Sequence, residues 1–352
     1  MKSLRTSSIV CYSLLAVSFT VSLSLRIAVP WSHVFSGGWI KFTDNDAYFY
    51  VRLLDNLSRH FPALGRIDPY YLFPADISLS GVPFFFPQFM GFFAWLFGAG
   101  APSQQLVDQA GVYFPAIAGA LTVFPAFFIG KSLFNRWAGL AAAGFMALMP
   151  GEFLIRTLLG NADGHVMEIL FTTLLMLCVV LAVQKGRTLE FPGCLRERRG
   201  DTLWTLACGA LAGLCLGIYL LSWQGALLFV FIIFLWLVIQ SAVDHLMGKP
   251  TVYLALAGVP AFLIALLMAL PSVADSTARL SLATALLVSA ALPAISWLMR
   301  RRSLNPMFFP TVILGLGLAA LAVLYFISPS VLRAMPGTVG GFFTWKTGAA
   351  IA

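Results

Sequence analysis

Charge is what this chain has least of. Only 10% of its 352 residues are charged, with 14 acids set against 22 basic residues. Soluble domains carry roughly 25% charged residues, so a water-solvated globular surface is excluded. Cysteine is also sparse and badly spaced for chemistry. Cys11, Cys178, Cys208 and Cys215 fall in apolar runs, Cys194 lies in a basic connection, and no Cys-x-x-Cys pair occurs. A disulfide framework or thiolate metal site is not indicated, and these side chains read as small hydrophobes. Repeats with a period of about 20 to 50 residues are missing. So is an inverted pair of Gly/Pro-broken helices, which speaks against a transporter built on such repeats. The net charge of +8 is scattered in short clusters rather than in a basic stripe interleaved with aromatics, so no nucleic-acid partner is expected.

Hydrophobic residues make up 60% of the chain, at a mean hydropathy of +0.89. Apolar runs of about 20 residues, the length a helix needs to cross a bilayer, recur along most of it. They do not alternate in polarity as barrel strands do. The sequence predicts an all-α polytopic membrane protein with about nine spans: 8–29, 106–130, 137–155, 164–184, 202–221, 225–243, 251–271, 279–299 and 307–328. The first run follows a basic start and is too long for a typical signal-peptide core, so it reads as a retained span. Phe84–Gly98 is short and holds Pro87, which suits an interfacial or re-entrant helix.

With that segment left out of the count, the connections 1–7, 131–136, 185–201, 244–250 and 300–306 share one side and hold 13 of the 22 basic residues. Counting it as a span would put the Arg-rich connections outside, against the positive-inside rule. The basic side is therefore cytoplasmic by expectation. The long 30–105 loop, the Glu152–Asp163 connection and the 328–352 tail face the other way. The expected location is the cell membrane, multi-pass, with the chemistry on the extracytoplasmic face.

Two acidic clusters lie on that outer side. Thr43-Asp44-Asn45-Asp46 opens an amphipathic stretch that reads as a helix along the membrane surface. Gly160-Asn161-Ala162-Asp163-Gly164-His165 stands at the mouth of the fourth span, with Glu168 one turn inside. Helix capping accounts for Thr43, Asp44, Asn161 or Asp163 without any ligand. Glu168 is harder to explain that way, because it shares a helical face with His165 inside an apolar segment. A hard cation held by Asp46, Asp163 and His165 is the competing explanation, and oxygen-rich ligation favours Mg2+ or Mn2+. Arg196–Arg199 and Arg300–Arg302 read as anchors near anionic membrane lipids. Asn56-Leu-Ser58 matches a glycosylation acceptor by chance within a helix.

At these residues the chain resembles the catalytic membrane subunit of oligosaccharyltransferase, the PglB/AglB-like family. Asp46-Ala-Tyr-Phe-Tyr-Val-Arg52 resembles its first acidic motif, Gly160–Glu168 its second, and Ser222-Trp-Gln-Gly-Ala226 a Trp-x-Gly turn between later helices. The resemblance extends over essentially the whole chain, here its N-terminal transmembrane portion, and implies a GT-C-like fold. It implies an inverting, metal-dependent glycosyltransferase moving an oligosaccharide from a polyprenyl diphosphate carrier to the asparagine of an Asn-x-Ser/Thr acceptor polypeptide. Asp46, Asp163 and His165 would ligate Mg2+ or Mn2+, with Glu168 an additional acidic partner in catalysis. Asp44 could substitute for Asp46, and Arg52 would steady the acids or meet lipid phosphate. The family's later-loop glutamate and its soluble C-terminal domain are not found within residues 1–352. The expectation is therefore a single transmembrane domain ending in an incomplete outer loop at 328–352, a fragment inactive in isolation. Two alternatives remain beside this reading: a metal-free membrane transferase using a lipid monophosphate sugar, and a transporter or flippase relaying protons through Asp163, His165 and Glu168.

Overall fold

The computed structural model describes residues 2–62, 84–272 and 276–327, and they are helical almost throughout. Helix α1 (Lys2–Ala28) leads into a short turn of helix, α2 (Trp31–Val34), and a small hairpin. Strands β1 (Phe35–Ser36) and β2 (Trp39–Ile40) pair antiparallel, Phe35 opposite Ile40. Gly37 and Gly38 link them with φ of +65° and +81°, the left-handed pair that a two-residue hairpin turn demands. The amphipathic stretch is α3 (Asn45–His60), and the short apolar segment is α4 (Phe85–Phe97). Ala47, Leu53, Leu54 and Leu57 are buried. Gly91 of α4 meets Leu54 and Leu57, while Gly111 on α5 (Gln104–Leu121) meets Val51. The missing side chains of those glycines let α3 lie close on both helices.

The expected span 106–130 is found as one candidate crossing, Gln104–Leu133, built of two helices, α5 and α6 (Val123–Leu133), that meet at Thr122. Pro125 is the reason, since it cannot donate to the carbonyl of Leu121 and its ring crowds that group. The expected span 137–155 is corrected. Helix α7 (Arg136–Leu148) has only 13 residues, stops before Pro150, and passes through Gly151 at φ +101° into the four-residue α8 (Glu152–Ile155). The residue before a proline is pushed out of the helical region, and glycine alone accepts the conformation that follows.

Next come α9 (His165–Gly186), the short α10 (Gly193–Arg196) and α11 (Arg199–Ser222). The chain then continues through α12 (Leu227–Leu246), α13 (Val252–Ser272), α14 (Ser276–Arg301) and α15 (Phe308–Ile327). Seven of the helical segments in the described residues are long and apolar enough to cross a membrane by length and composition, against the nine expected. The two that differ are α7, for the reason above, and α15, whose apolar stretch with described side chains is Phe308–Ala319. The chain is a multi-pass membrane protein. The expected tail 328–352 and the loop residues 63–83 lie outside the described residues.

Crossing still alternates at α7. Gln184, near the C-terminal end of α9, donates to the carbonyl of Ser132 at the end of α6, so both ends share one side. Residues 136–163 must therefore return to the opposite side to start α9, part of the way as non-helical chain. At about 1.5 Å per residue α7 rises only ~20 Å, and the extended segment makes up the rest. Such backbone is tolerated at membrane depth only where protein covers it. Below, the two ends of the bundle are called basic (Ser132, Gln184) and acidic (Asp163).

The second half packs around α11, which lies between α9 and α13. Gly209 and Gly213 approach the backbone of Ala257 and Ala261 so closely that an added Cβ would lie 2.5 Å from the facing carbonyl oxygen, and no side chain fits. This small-x-x-x-small spacing lets two helices touch through their backbones, where lipid offers no hydrophobic drive to do so. At the basic end Asp244 of α12, only 4% exposed, accepts from Tyr253 Oη at 2.7 Å and Gln240 Nε2 at 2.9 Å. Arg300 donates to its backbone carbonyl at 3.2 Å, tying α14 to the same corner.

Candidate functional site

Both acidic clusters meet at the acidic end. Asp44 is the N-cap residue of α3 and accepts from the amide of Asn45 at 2.6 Å, so the capping explanation holds for it. Asp46 follows in the first turn of α3 and is exposed. Asp163 is only 3% exposed and lies just ahead of α9. It does not cap α9, since the N-cap position is Gly164 and has no side-chain bond. Instead its carboxylate accepts from Arg156 Nη1 at 3.0 Å. One carboxylate oxygen from each of Asp44, Asp46 and Asp163 lies within 4.8 Å of the others.

That spacing has an electrostatic cost. The Asp46 carboxyl, exposed on one side, is pushed above the ordinary range by partial desolvation against the neighbouring chain, then by the negative charges of Asp163 and Asp44, against smaller relief from His165 and Arg156. Arg156 is held more firmly protonated than usual. Partial burial works against its charge, and the bonds to Glu152 and Asp163 outweigh it. Glu152 takes Arg156 Nε at 2.7 Å, so the guanidinium that bonds Asp163 is shared with a further acid.

His165 and Glu168 stand behind this cluster. His165 Nδ1 is 2.9 Å from Glu168 Oε2, and its Nε2 is 3.8 Å from Asp163 Oδ2. Glu168 Oε1 also accepts from Tyr219 Oη of α11 at 3.3 Å. A ring nitrogen held by a carboxylate leaves the other nitrogen directed as a ligand or donor. The Trp223 indole lies 5.5 Å from the imidazole and stacks on Tyr219. Gly225 is obligatory there, because any side chain would run into that indole. The Trp-x-Gly turn thus forms one wall behind the histidine.

Of the residues singled out in the sequence, Asp46, Asp163 and Asp44 converge, His165 is adjacent, and Glu168 orients His165. Arg52 is six residues beyond Asp46, on a different face of α3, over the Phe49 ring at 5.7 Å. Sequence reasoning missed Arg156 and Tyr219. Arg156 had a signal, as the one basic residue of the Glu152–Asp163 connection. Tyr219 had a weaker one, an aromatic four residues before Trp223.

The donor set suits a hard divalent cation. Three oxygen acids repel one another, relieved among the described residues only by the shared Arg156 and the nearby His165, and the buried Asn161 Oδ1 has no donor there. Oxygen ligation of this kind favours Mg2+, Mn2+ or Ca2+ over soft metals.

The model of a family described as oligosaccharyl transferase STT3, N-terminal, matches residues 16–297. The chain is 33% identical over 223 residues to the dolichyl-monophosphooligosaccharide–protein glycotransferase AglB of Haloferax volcanii, covering 63% of this chain and 21% of that protein. It is 27% identical over 260 residues to dolichyl-phosphooligosaccharide-protein glycotransferase 3 of Archaeoglobus fulgidus, covering 74% and 29%. The chain thus spans between a fifth and three tenths of these relatives. Among solved structures, the fold is similar to the Archaeoglobus fulgidus oligosaccharyltransferase AglB in complex with an inhibitory peptide and a dolichol-phosphate. The TM-score is 0.81 at 23% identity, covering 95% of this chain and 39% of that one. The Archaeoglobus fulgidus oligosaccharyltransferase complex with Zn and sulfate matches with a TM-score of 0.76 at 24% identity, covering 91% and 40%. At these identities the structures speak for the fold alone.

Proposed function

Because the chain belongs to the STT3 oligosaccharyl transferase family, we propose that it forms the membrane-embedded, metal-binding part of an enzyme of protein N-glycosylation. The donor is a lipid-linked oligosaccharide on a polyprenyl phosphate, and the acceptor an Asn-x-Ser/Thr polypeptide. Names of the relatives specify dolichyl phosphate carriers, and one neighbouring structure is tethered to an acceptor peptide with an NVT sequon. The single observation that carries the reading is the approach of Asp44, Asp46 and Asp163 to within 4.8 Å, from segments more than a hundred residues apart.

Asp46 and Asp163 are the assigned metal ligands, with Asp44 now their equal and His165 Nε2 available from the side. When bound, Mg2+ or Mn2+ supplies Lewis-acid and positioning chemistry for a departing lipid phosphate. The residues do the rest. Arg156 holds Asp163 at its bonding distance, Glu168, itself bonded by Tyr219, holds the imidazole, and Trp223 packs on it. Basic connections gather at the other end, so the positive-inside rule assigns this site to the extracytoplasmic face of the cell membrane. The carboxylate cluster weighs against a metal-free lipid-monophosphate transferase, which has no need of three opposed acids.

The test is binding of a dolichyl-phosphate-linked oligosaccharide to the 352-residue chain in detergent, with Mn2+ or with EDTA. Mn2+-dependent binding, lost with EDTA and weakened at least ~10-fold in both Asp46→Ala and Asp163→Ala, is expected; a tenfold change corresponds to about 1.4 kcal/mol. Binding indifferent to chelation and to both substitutions overturns the assignment.

A further inference from the structure

Arg26 is a guanidinium with no exposed surface, near the C-terminal end of α1, and no carboxylate of the described residues pairs with it. Its Nε donates to Thr157 Oγ1 at 2.9 Å. Its Nη1 reaches Ser22 Oγ at 2.5 Å, Ser22 O at 3.1 Å and Ala147 O at 3.4 Å. The Phe153 ring lies 4.9 Å away, and Nη2 has no partner among the described residues. Helix ends replace the missing acid. α1 ends two residues after Arg26, and Ala147 supplies one of the last carbonyls of α7, which have no partner inside their own helix. Both helix ends carry partial negative charge, which favours a cation between them.

What this cation grips is the non-helical return from α7 to α9. The Thr157 hydroxyl donates onward to Phe153 O at 2.7 Å. The amide of Leu159 donates to the carbonyl of Arg26 itself at 2.9 Å. One residue of α1 therefore fastens positions 147, 157 and 159. Between them sits Arg156, whose other side bonds Asp163. Gly119 of α5 clears the space: a Cβ there would strike Thr157 and come within 2.9 Å of Arg26 Nε. An apolar side chain could fill the same volume, but only a directional donor array dictates where Thr157, and so its neighbour Arg156, must stand.

We propose that Arg26 is a positioning residue for the acidic centre, anchoring segment 149–163 to α1 so that Arg156 and Asp163 face Asp44 and Asp46. The proposal rests on the reading of that centre as a divalent-metal site. Arg26 touches neither metal nor substrate, and its effect passes through Thr157 and Arg156.

The experiment compares wild type, Arg26→Lys, Arg26→Met and Thr157→Val in the full 352-residue chain in detergent. Three readouts are taken: Mn2+ affinity by electron paramagnetic resonance, amide deuterium exchange over 149–163, and helical content by circular dichroism. Arg26→Met and Thr157→Val should keep their helical content, exchange faster over 149–163 and bind Mn2+ about 10-fold more weakly. That loss is roughly 1.4 kcal/mol. Arg26→Lys, which keeps a cation but loses the fork, should recover part of the affinity. Wild-type exchange and affinity in Thr157→Val overturn the proposal, including the case where Arg26→Met loses helix, because Arg26 is then merely structural. If wild type binds no Mn2+, the metal reading fails by itself, and exchange over 149–163 in Thr157→Val decides for or against Arg26.

Discussion

The amide of Thr43 donates to the carbonyl of Gly160 at 3.1 Å. One backbone bond thereby splices the two acidic segments, the residue before Asp44 to the residue three before Asp163. Gly160 has φ +80° and returns its own amide to Val112 O of α5 at 3.0 Å, so three parts of the chain are laced at one glycine. The carboxylates converge because their backbones are joined first.

Gly160→Ala should therefore damage stability and site together. A side chain at this φ is strained by roughly 1–2 kcal/mol, and its Cβ would lie 3.0 Å from Val34 Cγ2. A lower thermal midpoint and Mn2+ affinity weakened several-fold are expected. Gly144→Ala is the control: its Cβ meets nothing within 4 Å in the middle of α7. Relieving helix-interior glycine there should stabilise by about 0.5–1 kcal/mol and leave Mn2+ binding alone. Equal effects at both positions would refute the splice.

The imidazole support gives a graded series. Removing the carboxylate that orients a metal-binding histidine costs roughly 10–100-fold in affinity. Glu168→Gln should fall at the lower end of that range and His165→Ala at or beyond it. Tyr219→Phe should lose less than Glu168→Gln, since it removes only the 3.3 Å bond to Glu168. Mn2+ titration followed by paramagnetic resonance reads all three. A Glu168→Gln chain that binds as tightly as wild type would show that the histidine needs no such support.

A pH dependence follows from Asp46. Its carboxyl is raised above the ordinary value of 3.8, first by burial and then by Asp163 and Asp44. A raised carboxyl binds its proton more tightly in the folded state, so its ionisation destabilises the metal-free fold. The penalty is full above the folded pKa, shrinks as pH falls through it, and is gone below 3.8. Metal-free Asp46→Asn should therefore melt above wild type at pH 7, with the gap closing on acidification. Saturating Mn2+ should reverse the order at pH 7. A gap that widens toward acid would mean the charge at position 46 is stabilising.

At the basic end, Tyr253→Phe leaves the buried Asp244 carboxylate with one donor fewer. Hydrogen bonds to charged groups contribute roughly 1.5–3 kcal/mol, and a loss of that order in denaturant or thermal unfolding is expected. Mn2+ affinity should stay at the wild-type value, because α12 and α13 meet there at the end of the bundle away from the acids. A parallel loss of metal binding would show that the two ends communicate.

Much of the architecture was legible because in a membrane length and polarity are strong constraints. The first span, the short segment at Phe85–Phe97, the basic-side connections and the two acidic motifs all follow from run length and the cost of charge in lipid. The misread helix was the one where a single residue outweighs the run: Pro150 cuts the expected span 137–155 short, inside a stretch whose average hydropathy hides it. Pro125 interrupts the helix of another expected span, which still runs as one candidate crossing from Gln104 to Leu133.

Residue type and spacing determined which groups could hold a cation, since carboxylates in an oily chain are too costly to be incidental. Only the tertiary structure decided which of them meet. Asp44 joined the cluster, Glu168 went to His165, and Arg52 turned toward Phe49, because each side chain's direction follows from how α3, α9 and α11 pack. The grip of α1 on the second acidic segment was likewise invisible in the sequence. Arg26 and Thr157 are 131 residues apart, and no local periodicity can announce a bond that depends on which helices lie side by side.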